Sequence, residues 1–131
     1  MISFLISLLV FILPSSVAGK LDNEHLSLAQ YAYESAITEK IDPDKFLALI
    51  NCESNWDINA KGDYRLEEDK FMAKGILQFW QGTFDAYAKK YKLVGEYENP
   101  RSQILLASVI IGREKNGWNH WRNCSKKLKI L

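Results

Sequence analysis

One carboxylate stands out by its position. In the stretch PDKFLALINCESNW, residues 43–56, Phe46, Leu49 and Ile50 recur at helical spacing and make one apolar stripe. Glu53 follows Phe46 by seven residues, Leu49 by four and Ile50 by three, so it continues that stripe, and Trp56 lies three further on. A carboxyl on an apolar face is costly to ionise, and its pKa rises in response. An acid tuned in that way can give up a proton near neutral pH, which is the task of a general acid. The competing account is an acid at a frayed helix end, turned back to water; acids at helix termini are common and mostly structural.

Other chemistries find fewer parts. A zinc site wants several His and Cys at fixed spacing, whereas His25 and His120 stand alone and the only cysteines are Cys52 and Cys124. Counting leaves a Ser-His-Asp arrangement open, yet no G-x-S-x-G elbow and no glycine-rich phosphate loop occurs. Asp57, Asn59, Gly62 and Glu68 fall at the first, third, sixth and twelfth places of an EF-hand calcium loop, but Lys61 and Arg65 stand at the fifth and ninth, where oxygen ligands belong. That match is coincidental, and neither a metal nor a cofactor is expected. Glu53 is left as the best-placed catalytic group.

The chain has 131 residues, 47% apolar and 25% charged, an ordinary composition for one globular domain. A net charge of +1 leaves no electrostatic footprint for a nucleic-acid partner. Residues 4–13 are apolar except for Ser7, and Pro14, Ser15, Ser16, Val17 and Ala18 follow. This reads as a secretory signal peptide, residues 1–18, cleaved after Ala18, although residues 1–3 carry no Lys or Arg. A spanning helix needs roughly twenty apolar residues, so no stable membrane anchor is expected after cleavage. Residues 19–131 then form the mature domain, exported to the periplasm or the extracellular space and expected to be a monomer. In an exported chain the even cysteine count reads as a Cys52–Cys124 disulfide, with two separately buried thiols as the alternative.

Helices must position Glu53. Residues 27–39 read as a first amphipathic helix with Leu26, Ala29, Tyr33, Ala36 and Ile37 as its stripe. Asp42 and Pro43 supply the cap and first position of the Glu53 helix. Residues 57–74 are polar and without a sustained period; so long a loop in a small domain tends to be functional or to hold short strands. Gly75-Ile76-Leu77-Gln78-Phe79-Trp80 is an apolar run interrupted by one amide. Thr83 is expected to cap a third helix with the stripe Phe84, Tyr87, Ala88 and Tyr91. Asn99-Pro100 opens a fourth, almost wholly apolar over residues 104–111, which should be the buried central helix and end at Gly117. Trp118 and Trp121 flank His120, and residues 125–131, with three lysines, read as a frayed end.

Taken together, Glu53-Ser54, the polar loop, Gly75-Ile76-Leu77-Gln78-Phe79 and Thr83-Phe84 resemble the two signature motifs of soluble lytic transglycosylases. These belong to the lysozyme-like superfamily and cleave the glycan strands of peptidoglycan. Asn99-Pro100, Gln103 and Gly117-Trp118 are similar to the later part of that domain, so the likeness covers about residues 40–124. It implies a mostly α, lysozyme-like single domain, with the long polar loop (able to hold short strands) between the catalytic helix and residues 75–78. It implies Glu53 as the one catalytic residue and peptidoglycan glycan strands as the partner. Glu53 would protonate the glycosidic oxygen between N-acetylmuramic acid and N-acetylglucosamine while the substrate's acetamido group attacks the anomeric carbon. As a base it would then take the C6 hydroxyl proton, closing a 1,6-anhydro ring without a second carboxylate.

Ser54 and Gln78 match family positions that line the site, and the Ser54 hydroxyl could equally bond its own helix backbone. Phe79, Trp80 and Trp118 are suited to stack on sugar faces and equally suited to a core. The family's third motif, Ala-Tyr-Asn-x-Gly, is replaced here by Lys115-Asn116-Gly117-Trp118, which leaves Tyr64, Tyr87 or His120 to stand in for its tyrosine. Two rival readings remain open. One is a hydrolytic lysozyme that steers water with Asp57, Asp63, Glu67, Glu68 or Asp69. The other is an accessory module that binds the wall without turnover.

Overall fold

Local signals set the helical frame. The Asp42 carboxylate accepts hydrogen bonds from the Asp44 and Lys45 amides at 3.0 and 3.2 Å, and Pro43 takes the first helical position. Asn99 does the same for Arg101 and Ser102 at 2.9 and 3.1 Å, with Pro100 behind it. The computed structural model describes residues 23–131; the signal peptide expected at residues 1–18 and the Leu26 side chain lie outside the described residues. The elements are helices α1 (Asn23–Thr38) and α2 (Pro43–Ser54), strands β1 (Lys61–Arg65), β2 (Lys70–Lys74) and β3 (Phe79–Trp80), helices α3 (Gln81–Lys90) and α4 (Pro100–Arg113), a 3-10 helix (Gly117–Trp121) and helix α5 (Arg122–Lys127).

The domain is mostly α with one small antiparallel sheet, consistent with a lysozyme-like fold. The polar stretch after α2 holds the β1–β2 hairpin, and β3 joins through Ala73 opposite Trp80 and Lys74 opposite Phe79. At the centre runs α4, where Gln103, Ile104 and residues 106–111 are buried. Phe46, Leu49 and Ile50 of α2 are shut off from water against it, together with Ile76 and Leu77. Each such side chain contributes about 1.5–3 kcal/mol by leaving water.

Several expectations need correction. On α1 the inward face is Leu28, Ala32, Ser35 and Ala36, while Tyr33 and Ile37 are exposed. Close approach to α2 and α4 selects small residues, and size misled the sequence reading. Helix α3 begins at Gln81, two residues before Thr83, with Trp80 at its cap position and no side-chain cap. Helix α4 ends at Arg113 rather than running to Gly117. Gly117 is instead pressed on the α4 backbone, where a Cβ would come within 2.4 Å of the Ile110 carbonyl oxygen. The tail is not wholly frayed. Ser125 is buried and donates to the Trp118 carbonyl at 3.0 Å, and the Ile130 amide returns to the Ser125 carbonyl at 2.8 Å.

Candidate active site

Glu53 sits in the last turn of α2, half-buried, one turn beyond the fully buried Leu49 and Ile50. Burial pushes its carboxyl up from 4.5 to about 7. No described cation or hydrogen-bond donor offsets that cost. The helix stops directly after the acid because Asn55 turns left-handed at φ +52°, followed by Trp56 at φ +64°. A bulky residue in that region is strained and persists only where its surroundings hold it.

Two chains of contacts tie this helix end to the Gln78 segment. In the first, the Asp57 amide donates to the Ser54 carbonyl at 3.0 Å, and the Ala60 amide to the Asp57 carbonyl at 3.1 Å. The Ala60 carbonyl then accepts from Gln78 Nε2 at 3.1 Å and from the Gly75 amide at 2.8 Å. The second chain begins with a Cys52–Cys124 disulfide, with Cα atoms 6.0 Å apart, which binds the residue before Glu53 to α5. Just ahead of α5, Trp121 donates its indole N–H to the Leu77 carbonyl at 2.8 Å. Both chains thus start one residue from Glu53; the first ends on Gln78 itself and the second on Leu77 beside it, although Glu53 and Gln78 share no direct bond.

The segment carrying Gln78 is fixed from below by the buried side chain of Gln103. Its Oε1 accepts from the Leu77 amide at 3.0 Å, and its Nε2 donates to the Lys74 and Tyr97 carbonyls at 3.0 and 2.8 Å. Every atom of that carboxamide is used, as burial demands. Gly75 has φ +86°, and a Cβ there would lie 2.4 Å from Gln103 Nε2, so only glycine fits. Gln78 itself is left-handed, at φ +52°. Its Nε2 donates to Ala60 and Gly75 carbonyls at 3.1 and 2.9 Å, which fixes the amide orientation and leaves Oε1 as the group able to accept from a ligand.

Gln78, Phe79 and Trp80 come together with Thr83, His120 and Trp121 around a pocket of about 360 Å³. Phe79 contributes to that wall from the core: it is 4% exposed and packs edge-on against Phe84 and Trp121. Trp80 is exposed, with the Arg65 guanidinium 5.1 Å from its ring centre. Glu53, Ser54 and Trp118 do not line this pocket. Ser54 donates its hydroxyl to the Ile50 carbonyl at 3.3 Å, and Trp118 packs half-buried against the core.

Of the three groups considered for the missing tyrosine, Tyr64 is on β1 and bonds Asp69 through its hydroxyl. Tyr87 and His120 form a pair, with the hydroxyl 3.2 Å from Nε2 and the rings edge-on. His120 is in the wall beside Gln78. From the sequence Thr83 was expected as a cap, although it stands in the family motif, and Trp121 gave no signal as a wall residue because its partner is a backbone carbonyl distant in the chain.

Neither the comparison with curated proteins nor that with solved structures returns a match. Residues 30–126, which span α2, the sheet, α4 and both tryptophans of the 3-10 helix, match the family model described as Transglycosylase SLT domain. The chain belongs to the transglycosylase SLT domain family.

Proposed function

We propose that this protein is a peptidoglycan lytic transglycosylase that uses Glu53 alone as acid and then base. The observation that carries the reading is the Glu53 carboxyl, half-buried at a helix end and lifted to about 7 in a domain of this family. About half protonated at neutral pH, it delivers its proton to the glycosidic oxygen between N-acetylmuramic acid and N-acetylglucosamine, and the C1–O bond breaks. The acetamido oxygen of the same muramic residue bonds to C1. Glu53, now a carboxylate, takes the proton from the C6 hydroxyl as O6 displaces the acetamido oxygen. The products are a 1,6-anhydro sugar and a new chain end, and no water is consumed. Gln78 offers Oε1 to an N–H or O–H of the sugar, Ser54 has lone pairs left beside its backbone bond, Trp80 and Trp118 flank the strand, and His120 with Tyr87 supplies the polar contact that the altered third motif lacks.

The acidic residues of the hairpin region support the single-carboxylate route over hydrolysis, because four of the five are engaged locally. Asp57 accepts from the Asn59 amide, Asp63 pairs with Arg65, Glu68 with Lys70, and Asp69 with the Tyr64 hydroxyl, while Glu67 is exposed. A disulfide fits an oxidising compartment, and none of the described helices is long and apolar enough to cross a membrane. The disulfide supports an exported enzyme of the periplasm or extracellular space, and we propose that it acts as a monomer. Mass spectrometry of digested sacculi tests the reading. Anhydro-muropeptides are expected; reducing ends would make the protein a hydrolase, and binding without release of fragments an accessory module.

A further inference from the structure

We propose that the outer face of α5 docks on the surface of an anionic phospholipid bilayer, a peripheral and salt-reversible contact that holds the protein beside a membrane. The net charge of +1 conceals a segregation. Residues 113–131 carry six Lys or Arg against one acid, whereas residues 1–112 carry eleven against fifteen. The one acid of the basic stretch, Glu114, is already engaged by the Lys90 ammonium at 2.8 Å and by the Tyr91 hydroxyl. Asymmetry of this kind points to an anionic partner that a balanced total hides.

Local geometry gathers the charge. With about 3.6 residues per turn, Arg122, Asn123, Lys126 and Lys127 fall within an arc of about 140° on α5, and all four are exposed. Cys124 and Ser125 fall outside that arc and are buried. Lys129, also exposed, follows at once; its amide bonds the Lys126 carbonyl at 3.0 Å, while the Leu128 and Ile130 amides close on the Cys124 and Ser125 carbonyls. The Cys52–Cys124 bridge fastens the inward side of the segment to α2. Arg122, Lys126, Lys127 and Lys129 are therefore carried on a fixed support. None of them forms an ion pair among the described residues. The helix itself does not call for them all. Lys126 and Lys127 suit the C-terminal end of a helix dipole, but Arg122 stands in the first turn, where a cation is disfavoured and no acid offsets it.

Among anionic partners a bilayer fits best. Leu131 is 51% exposed, and Leu128 and Ile130 are half-buried, so apolar side chains interleave with Lys127 and Lys129. Lysines can reach lipid phosphates while neighbouring aliphatic groups enter the headgroup layer, which a soluble polyanion lacks. One face of a six-residue helix offers far less than the roughly 800 Å² a side of a stable protein contact. The bridge to Cys52 lies on the inward side of α5, so docking leaves α2 away from the lipid. The inference stands apart from the glycan-cutting reading.

The test is cosedimentation of the exported protein with vesicles of phosphatidylcholine alone or with roughly one-third phosphatidylglycerol, at about 0.1 M and about 0.5 M salt. Binding is expected only to the anionic vesicles and only at the lower salt. Each cation near such a surface is worth about fivefold in partitioning, so Lys126→Gln with Lys127→Gln should weaken binding about twentyfold. Its melting point and its turnover of soluble glycan fragments should stay at wild-type values. Lys126→Arg with Lys127→Arg keeps the charge and should keep the binding; a loss there would show that packing is read and overturn the proposal. Lys89→Gln with Lys92→Gln removes equal charge from exposed positions at the end of α3 and should bind as the wild type does. Equal losses in the two Gln pairs, or binding to neutral vesicles that neither pair alters, overturn the docking face. So does capture of soluble polyphosphate by a protein that ignores anionic vesicles, and so does self-association that the α5 pair abolishes. No binding to anionic vesicles also overturns it and leaves the glycan-cutting reading standing.

Discussion

The side-chain oxygen of Gln78 occupies the space that any side chain on Gly62 would need: an ideal Cβ at residue 62 would lie 2.3 Å from Oε1. Gly62 is in an ordinary strand and alanine fits its backbone, so the clash falls on the tip of a flexible amide. Gly62→Ala should swing that amide away from the Ala60 and Gly75 carbonyls, lowering stability by about 1–2 kcal/mol. Wall-cutting should fall tenfold or more, since the group offered to the sugar has moved. Unchanged turnover with an unchanged melting point would mean that Gln78 has no part in the reaction.

Glu53→Gln keeps the shape of the acid and removes its proton. Activity on sacculi should drop by roughly a hundredfold to ten-thousandfold, the usual weight of general acid–base catalysis. Binding of glycan oligomers should persist. A variant as active as the parent would move the chemistry to another residue.

The raised carboxyl also fixes two pH dependences. Between about 4.5 and about 7 the folded protein holds a proton that the unfolded chain has released. Unfolding therefore releases a proton in that window, and stability falls as pH rises through it. Glu53→Gln should match the wild type near pH 4 and be the more stable above pH 7 in urea titrations. kcat/KM of the wild type should fall above an apparent pKa near 7 as the acid ionises. Parallel stability profiles for both proteins would show the carboxyl to be an ordinary one.

Reduction of Cys52–Cys124 opens a loop of 72 residues. In the chain-entropy model that costs roughly 4 kcal/mol, or a melting point roughly 15 °C lower for a domain of this size. The same loss should be seen in a double Cys→Ser variant by calorimetry. A shift of only a degree or two would show that the bridge is incidental to the fold.

Gln103→Leu preserves bulk but strands the Leu77 amide and the Lys74 and Tyr97 carbonyls. Destabilisation of about 3 kcal/mol or more is expected, since each buried polar group left unpaired costs about 1–3 kcal/mol. Denaturant titration measures it directly, and a neutral result would show that the segment relaxes to find other partners.

Much of the helical frame was legible because its signals are local. Asp42-Pro43 and Asn99-Pro100 cap adjacent amides, and the run over residues 104–111 has nowhere to go but inside. The raised Glu53 carboxyl was foreseeable for a related reason: it continues the apolar stripe of its own helix. What escaped depends on partners remote in sequence. The inward face of α1 is chosen by how closely α2 and α4 approach, and Ala32 carries no hydrophobic weight to announce it. The strands in residues 57–74, KGDYR and KFMAK, do not alternate apolar with polar residues, so no period marks them. Tyr64 and Phe71 become neighbours only through hairpin register, and Trp121 reaches Leu77 only after the chain has closed.

That closure sets an order of events. Leu77 waits 44 residues for Trp121, and Cys52 waits 72 for Cys124. A chain arrested ahead of Trp121 therefore keeps a free Cys52 thiol and a Leu77 carbonyl without its indole partner, and both are captured only when the last residues arrive.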